Sequence, residues 1–210
     1  MAALLALSLP LAGCGDDGDG SSATPKNPNG ITTSADASMW DDGTAECEVT
    51  GTAAAEVSSA KPAEEGIDGV VTFGKLTQNH VKGCVDYPVS PPVGGDHNQA
   101  WANCGFYSSA VPNEHAVHDL EHGAVWIAFG EDVSRATVDA IRLATSKSTH
   151  LLASPYPDLG TKVVLSAWSR QLTLDSVSDA RFQQFIDEYV QGPQTPELGA
   201  SCDGAMGEPD

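Results

Sequence analysis

The chain has 210 residues, with 10 basic side chains against 29 acidic ones and a formal charge of -19. That balance makes nucleic acid a poor partner, because phosphate recognition needs Lys and Arg where this surface is acidic. It leaves cations open as ligands, and the stretch after residue 46 is long enough for one domain with its own core.

Residues 2–12 are almost wholly apolar and end in Leu11-Ala12-Gly13-Cys14, after which polarity switches at Asp16. A stretch this short falls below the roughly 20 residues a spanning helix needs, so it reads as an export segment, not a transmembrane anchor. Small residues before a cysteine fit a lipoprotein cleavage box, with residues 1–13 removed and lipid carried on Cys14. No Lys or Arg precedes the run, so the usual basic start of such a segment is missing. Residues 14–46 are rich in Gly, Asp, Ser, Thr and Pro and read as a flexible acidic tether. The expected domain runs from 47 to 200, and 201–210 reads as a tail. The expected location is extracytoplasmic, periplasm-facing or at the cell surface, on a membrane held through that lipid.

With Cys14 set aside, Cys47, Cys84, Cys104 and Cys202 remain, an even number in an exported chain, so two disulfides are expected. Four cysteines allow three pairings. The expectation adopted is Cys84 with Cys104, closing a short loop, and Cys47 with Cys202, tying the ends of the domain. Cysteine as a metal ligand is the weaker reading, since no C-x-x-C pair occurs and oxidised sulfur is no thiolate donor.

Along the domain, Gly69 to Phe73 reads as a strand. Gly74 to Asn113 is a long loop rich in Gly, Pro and Asn that holds His80, His97, Trp101, Phe106 and Tyr107. Asn113 is placed to cap a helix from Glu114 that Gly123 ends, and the apolar run Ala124 to Phe129 suits a buried strand. Ser134 caps a helix to about Ser146 with Val138, Ile141 and Leu143 as its apolar side. Leu151 to Ala153 and Lys162 to Trp168 read as strands around the turn-rich SPYPDLG. Ser178 caps a last helix with Phe182, Phe185, Ile186 and Tyr189 inward, stopped by Gly192-Pro193. The order predicts an α+β domain, two to three helices against a small mixed sheet.

The chemistry is concentrated between His80 and His122. Glu114, His118 and His122 recur every four positions and share a helix face, with Glu121 at its edge and Ala116, Val117 and Leu120 turned toward the core. Two imidazoles one turn apart reach a single metal ion, and nearby carboxylates serve as further ligands or as acceptors that orient the rings. His97, in the glycine-rich loop, is the natural third ligand and His80 a fourth. Glu114 and Glu121 are expected as the orienting carboxylates.

The motifs Tyr87-Pro88, Pro91-Pro92-x-Gly94-Gly95-x-His97, Cys104-Gly105-x-Tyr107, Glu114-x-x-x-His118-x-Leu120-Glu121-His122-Gly123 and Val163-Val164-Leu165-Ser166-Ala167-Trp168 together resemble the bacterial domain family DUF3105, over roughly residues 67 to 192. The resemblance implies an extracytoplasmic domain, often carried on a signal, anchor or lipid, with no agreed activity. His80, His97, His118 and His122 fall on the family pattern, whereas His115 and His150 do not. The family usually has Ser where Gly94 stands.

An imidazole-dominated site suits copper, zinc, iron or nickel and fits calcium poorly; copper or zinc is the expected cofactor. With only three methionines, a Met-rich copper(I) shuttle is a poor fit. The expected role is metal binding and handling. Two alternatives stand beside it. His118 to His122 also spells H-x-x-E-H, in which two histidines hold zinc and Glu121 acts as general base of a hydrolase, or the metal serves redox chemistry. The third possibility is a structural or interaction module whose histidines are hydrogen-bonded inside a polar core. Trp126 and Trp168 are expected in the core, Trp101, Phe106 and Tyr107 as walls of the site, and His150 as structural or exposed.

Overall fold

The computed structural model describes residues 29–35, 40, 49–52, 61–62 and 66–210. The signal segment, Cys14 and Cys47 lie outside the described residues. Among the described residues no helix is long and apolar enough to cross a membrane.

The described residues form eleven strands and three helices: β1 (Val49–Thr52), β2 (Lys61–Pro62), β3 (Val71–Thr72), β4 (His80–Val81), β5 (Cys84–Asp86), β6 (His97–Asn98), β7 (Gly105–Phe106), α1 (Asn113–Glu121), β8 (Val125–Phe129), α2 (Arg135–Thr145), β9 (Leu151–Pro155), β10 (Val163–Ala167), β11 (Arg170–Leu174) and α3 (Ala180–Tyr189). Seven strands build one mixed sheet in the order β2-β3-β11-β10-β8-β9-β7, and the pairs β1-β5 and β4-β6 stand apart from it. The parallel neighbours β8 and β9 are joined through α2, as parallel pairing requires a crossover. The α+β class predicted from the order of elements is the one observed.

The alternation along β8 explains why its sequence is apolar throughout. Val125, Ile127 and Phe129 pack with Val138 and Ile141 of α2 and with Phe182, Phe185, Ile186 and Tyr189 of α3. Trp126 and Ala128 face the opposite way, into a second cluster with Leu152, Val164, Trp168 and the Ala116, Val117 and Leu120 side of α1. A strand covered on both faces has no polar side, so it reads as a continuous apolar run.

Several expectations at the residue level are corrected. Asn113 is the first residue of α1, not its cap; Pro112 precedes the helix without a side-chain cap. Gly123, at a φ of +92°, does end the helix. Ser134 caps α2 as expected, accepting from Thr137 N, but Leu143 is exposed and Thr145 takes its place inside. Asp179, not Ser178, caps α3. Strand β11 was not expected; it pairs with β10 across a turn at Trp168-Ser169, where Ser169 has a φ of +60°.

The ends also differ from expectation. Ile31 and Trp40, in the stretch read as a tether, are buried in the two core clusters, and Thr32 bonds to Ser108 and Ala110. These are the large apolar residues that a solvated linker would not carry. Residues 201–210, read as a tail, lie along 101–106: Asn103 N donates to Met206 O, Met206 N to Trp101 O and Asp210 N to Phe106 O.

Cys104 pairs with Cys202 at a Cα separation of 5.3 Å, which replaces both expected pairings. The reason is topological. Cys84 lies on β5, where Glu114 Oε1 accepts from Val85 N, whereas Cys104 enters β7 beside the returning C-terminal segment. Cys84 is disulfide-bonded as well.

Gly130 follows β8 with its backbone against Gly160, where a Cβ would overlap the Gly160 carbonyl. Gly130→Ala is therefore expected to destabilise the domain by about 1–3 kcal/mol, an overpacking loss with no flexible side chain to yield. Chemical denaturation measures it; wild-type stability would show that the turn relaxes freely.

Candidate metal centre

Two polar backbone devices bring the histidines together. His80 and His97 are register partners in the short parallel pair β4-β6, so their side chains leave the pair on the same side. Their ring centroids lie 5.0 Å apart. The loop before His97 is pinned to the sheet: Gln171 Nε2 donates to Pro91 O at 2.8 Å and Ser169 N to Val93 O at 2.7 Å. Gly94 sits there at a φ of +136°, and a Cβ would approach Leu76 Cδ1 to 2.7 Å and the Trp168 ring to 3.2 Å. Glycine is what this backbone requires.

The helix supplies the rest. His118 and Glu121 stand one turn apart near the end of α1, and their donor atoms converge with those of His80 and His97, all four within 4.8 Å of one another. His118 lies 4.9 Å from His80 and 4.8 Å from His97, ring centre to ring centre. Glu121 Oε2 is 2.9 Å from His97 Nε2 and 3.8 Å from His80 Nε2.

Tautomers follow from the carbonyls around the site. The Nδ1 atoms of His97 and His118 meet the carbonyl oxygens of Gly95 and Asn98, each at 2.8 Å. A carbonyl only accepts, so both Nδ1 atoms carry the proton, and in the neutral ring Nε2 presents a lone pair to the centre. His97 is wholly buried, and its Nε2, although 2.9 Å from the carboxylate, is not aligned for a hydrogen bond and has no other partner. Two acceptors facing each other at that distance call for positive charge between them.

Burial pushes His118 down to about 4, against the opposing pull of the Asn98 carbonyl, and the neighbouring rings add to the fall. Burial works to raise the Glu121 carboxyl, but the facing imidazoles of His97, His118 and His80 outweigh it and hold it below the usual carboxylate value. Around neutral pH the centre thus offers the neutral ring of His118 and the negative carboxylate of Glu121.

The other expected site residues are placed as follows. His122 flanks the centre, its ring 4.5 Å from that of His118, but its Nδ1 donates to Ser201 O at 2.6 Å and its Nε2 lies 3.6 Å from Glu197 Oε2. Burial lowers its pKa despite these acceptors. Glu114 is not at the centre; it holds β5. Trp101 lines the centre, 5.5 Å from His118 and 4.9 Å from His122. Phe106 and Tyr107 do not line it: Phe106 stacks on Phe129 and Tyr107 packs by Trp40, both in the core. Trp168, expected only in the core, also presents its ring to His97 at 6.2 Å. His115 donates from Nδ1 to Ala100 O and His150 meets Ala200 O through Nε2, so both serve the framework.

The pH dependence follows from His118. Its folded value lies below the ordinary 6.5, so the unfolded chain binds the proton first. Stability from the neutral ring is present above pH 6.5 and is lost as pH falls toward 4, by up to about 1.4 kcal/mol per pH unit. Urea titrations of chelator-treated protein across this window measure it, and His118→Gln is expected to flatten the slope. An unchanged slope in the variant would place the proton elsewhere.

No curated protein and no solved structure matches the chain. A family pattern described as a protein of unknown function, DUF3105, matches residues 80–204. That span begins at His80 and takes in every residue of the centre as well as Cys104 and Cys202, so the chain belongs to the DUF3105 family.

Proposed function

We propose that this chain is an extracytoplasmic protein, lipid-anchored to a membrane through Cys14, whose domain binds one transition-metal ion, copper(II) or zinc, for metal handling. The ligands are His80, His97, His118 and Glu121, with His122 beside them. The observation that carries this is His97 Nε2, wholly buried, without a hydrogen-bond partner, its lone pair facing a carboxylate oxygen at 2.9 Å. An orphaned buried nitrogen costs about 1–3 kcal/mol, which a cation in front of it reverses.

Three further points support the reading. A tetrahedral shell with bonds of about 2.0–2.1 Å has edges of about 3.3 Å, and the carboxylate separations of 2.9 and 3.8 Å bracket that value. His118 and Glu121 stand in the last turn of α1, where the helix dipole is negative and favours a cation. The net charge of -19 raises the local concentration of cations around the domain. Lipid at Cys14 rests on the sequence of the first fourteen residues.

A second reading, metal-dependent catalysis, is favoured by one feature. His80 is half-exposed, its side chain at 45 %, and it lines a cleft of about 500 Å³ with Trp101, Asn98 and Gln99. The centre is therefore open on one side, toward a small ligand or water. Glu121 among the metal ligands is unavailable as the free base that the H-x-x-E-H reading needs.

The test is metal analysis of the untagged chain after stripping and reconstitution with copper(II) or zinc. One equivalent per chain is expected, with affinity reduced at least about 100-fold in His118→Ala and Glu121→Gln, beyond what loss of an orienting group causes. His122→Ala is expected to fall less, within about 10–100-fold. Bound metal is expected to raise the melting temperature. Absence of stoichiometric metal would sink the proposal, and an exchangeable water on the bound ion would favour catalysis.

A further inference from the structure

On the other side of the last turn of α1 lies a separate donor group. Cys104, Cys202 and Asp119 place their ligand atoms within 4.8 Å of one another. Asp119 is wholly buried, no cationic side chain among the described residues pairs with it, and its Oδ2 has no hydrogen-bond partner. Its Oδ1 lies 3.4 Å from Cys202 Sγ, and a disulfide sulfur has no hydrogen to donate, so this contact does not satisfy the carboxyl. A structural crosslink for the C-terminal segment accounts for the two sulfurs. It leaves unexplained the buried acid beside them, whose Oδ2 has no partner although the carboxyl accepts from the Ala102 backbone N–H.

We propose that Cys104, Cys202 and Asp119 form a second, redox-gated site that takes one thiophilic divalent cation, zinc foremost, once a dithiol has reduced the Cys104–Cys202 bond. The reductant's two thiols deliver two electrons and two protons: its own disulfide forms, the Cys104–Cys202 bond breaks, and two thiols result. The cation then displaces both thiol protons, together with any proton on the Asp119 carboxyl, to solvent and binds two thiolates and the Asp119 carboxylate. Sulfur bonds of about 2.3 Å and oxygen bonds of about 2.0–2.2 Å set a sulfur–oxygen edge of about 3.5 Å in a tetrahedral shell, near the 3.4 Å already present. The Cα separation of 5.3 Å lets the sulfurs part to about 3.8 Å by side-chain rotation. Cys104 is the partly exposed member, so the fourth position opens to water on its side.

The cation closes the same 98-residue separation that the disulfide closes, so residues 201–210 keep their place along 101–106 in both states. Oxidised, the site binds nothing; reduced, it is a soft S₂O centre beside the nitrogen-rich one. Absence of a C-x-x-C motif does not count against it, because the two sulfurs come from distant parts of the chain.

The experiment uses the chelator-stripped chain, reduced with a dithiol without oxygen and titrated with cobalt(II) and then zinc. A thiolate-to-cobalt charge-transfer band, which imidazole ligands do not give, is expected to saturate at one equivalent and to vanish on adding zinc. It should be absent in Cys104→Ser and in Cys202→Ser and need about tenfold more cobalt in Asp119→Asn. Since the cysteine variants could fail to fold, the wild-type chain gives an independent readout. Zinc should slow alkylation of Cys104 and Cys202 at least about tenfold, with Cys84 unaffected, as mapped on peptides. No charge-transfer band, a band that persists in Cys104→Ser, no protection by zinc, or a Cys104–Cys202 bond that a dithiol reduces only in denaturant would each overturn the proposal. Failure of the histidine site leaves the thiolate band in place, so the two readings fail separately.

Discussion

A buried imidazole aimed at a buried carboxylate, His97 Nε2 to Glu121 Oε2, is the constraint on which the arrangement of this domain turns. Neither group gains from being there alone, since burial of an unpaired acceptor or charge opposes folding. Each is therefore held by structure that stabilises itself elsewhere. His97 is fixed by its own Nδ1 on Gly95 O, by its backbone N–H on Asn79 O, and by the loop bolted to the β10–β11 hairpin through Val93 and Pro91. Glu121 is fixed because Ala116, Val117 and Leu120 of the same helix are wholly buried against Trp126 and its neighbours. The core holds the polar pair in place.

What the sequence made legible was periodicity and chemistry; what it hid was competition between neighbours. The apolar face of α1 followed from spacing, and the approach of His97 to His118 from glycine-rich loop character; His80 was expected only as a fourth ligand, and His122 where Glu121 stands. The roles of Glu121 and His122 did not follow from spacing. Both project near the end of the helix, and the deciding factor is the C-terminal segment, whose Ser201 carbonyl claims the His122 Nδ1 from 79 residues away. The same segment decided the disulfide, because Cys202 returns alongside Cys104 by backbone bonding that no local pattern encodes. Strand β11 is not marked in the sequence, since its turn, Trp168-Ser169, lacks the Gly or Asn that normally signals a two-residue hairpin, even though Gln171 to Leu174 alternate in polarity. Ile31 and Trp40 were visible as isolated apolar residues in a polar stretch; their burial depends on a groove built by distant parts of the chain.

The last turn of α1 is where the two donor groups meet. Successive residues on a helix point about 100° apart, so His118 and Asp119 cannot face the same neighbour. One turn therefore presents His118 and Glu121 to the histidine loop and Asp119 to the disulfide, with the negative end of the helix dipole behind both. His122 sits between, tied to Ser201, the residue adjacent to Cys202. The two proposed cations would thus act on one turn of backbone, which carries Asp119 on one side and His118 and Glu121 on the other. The two donor groups share this single piece of backbone, ended by Gly123.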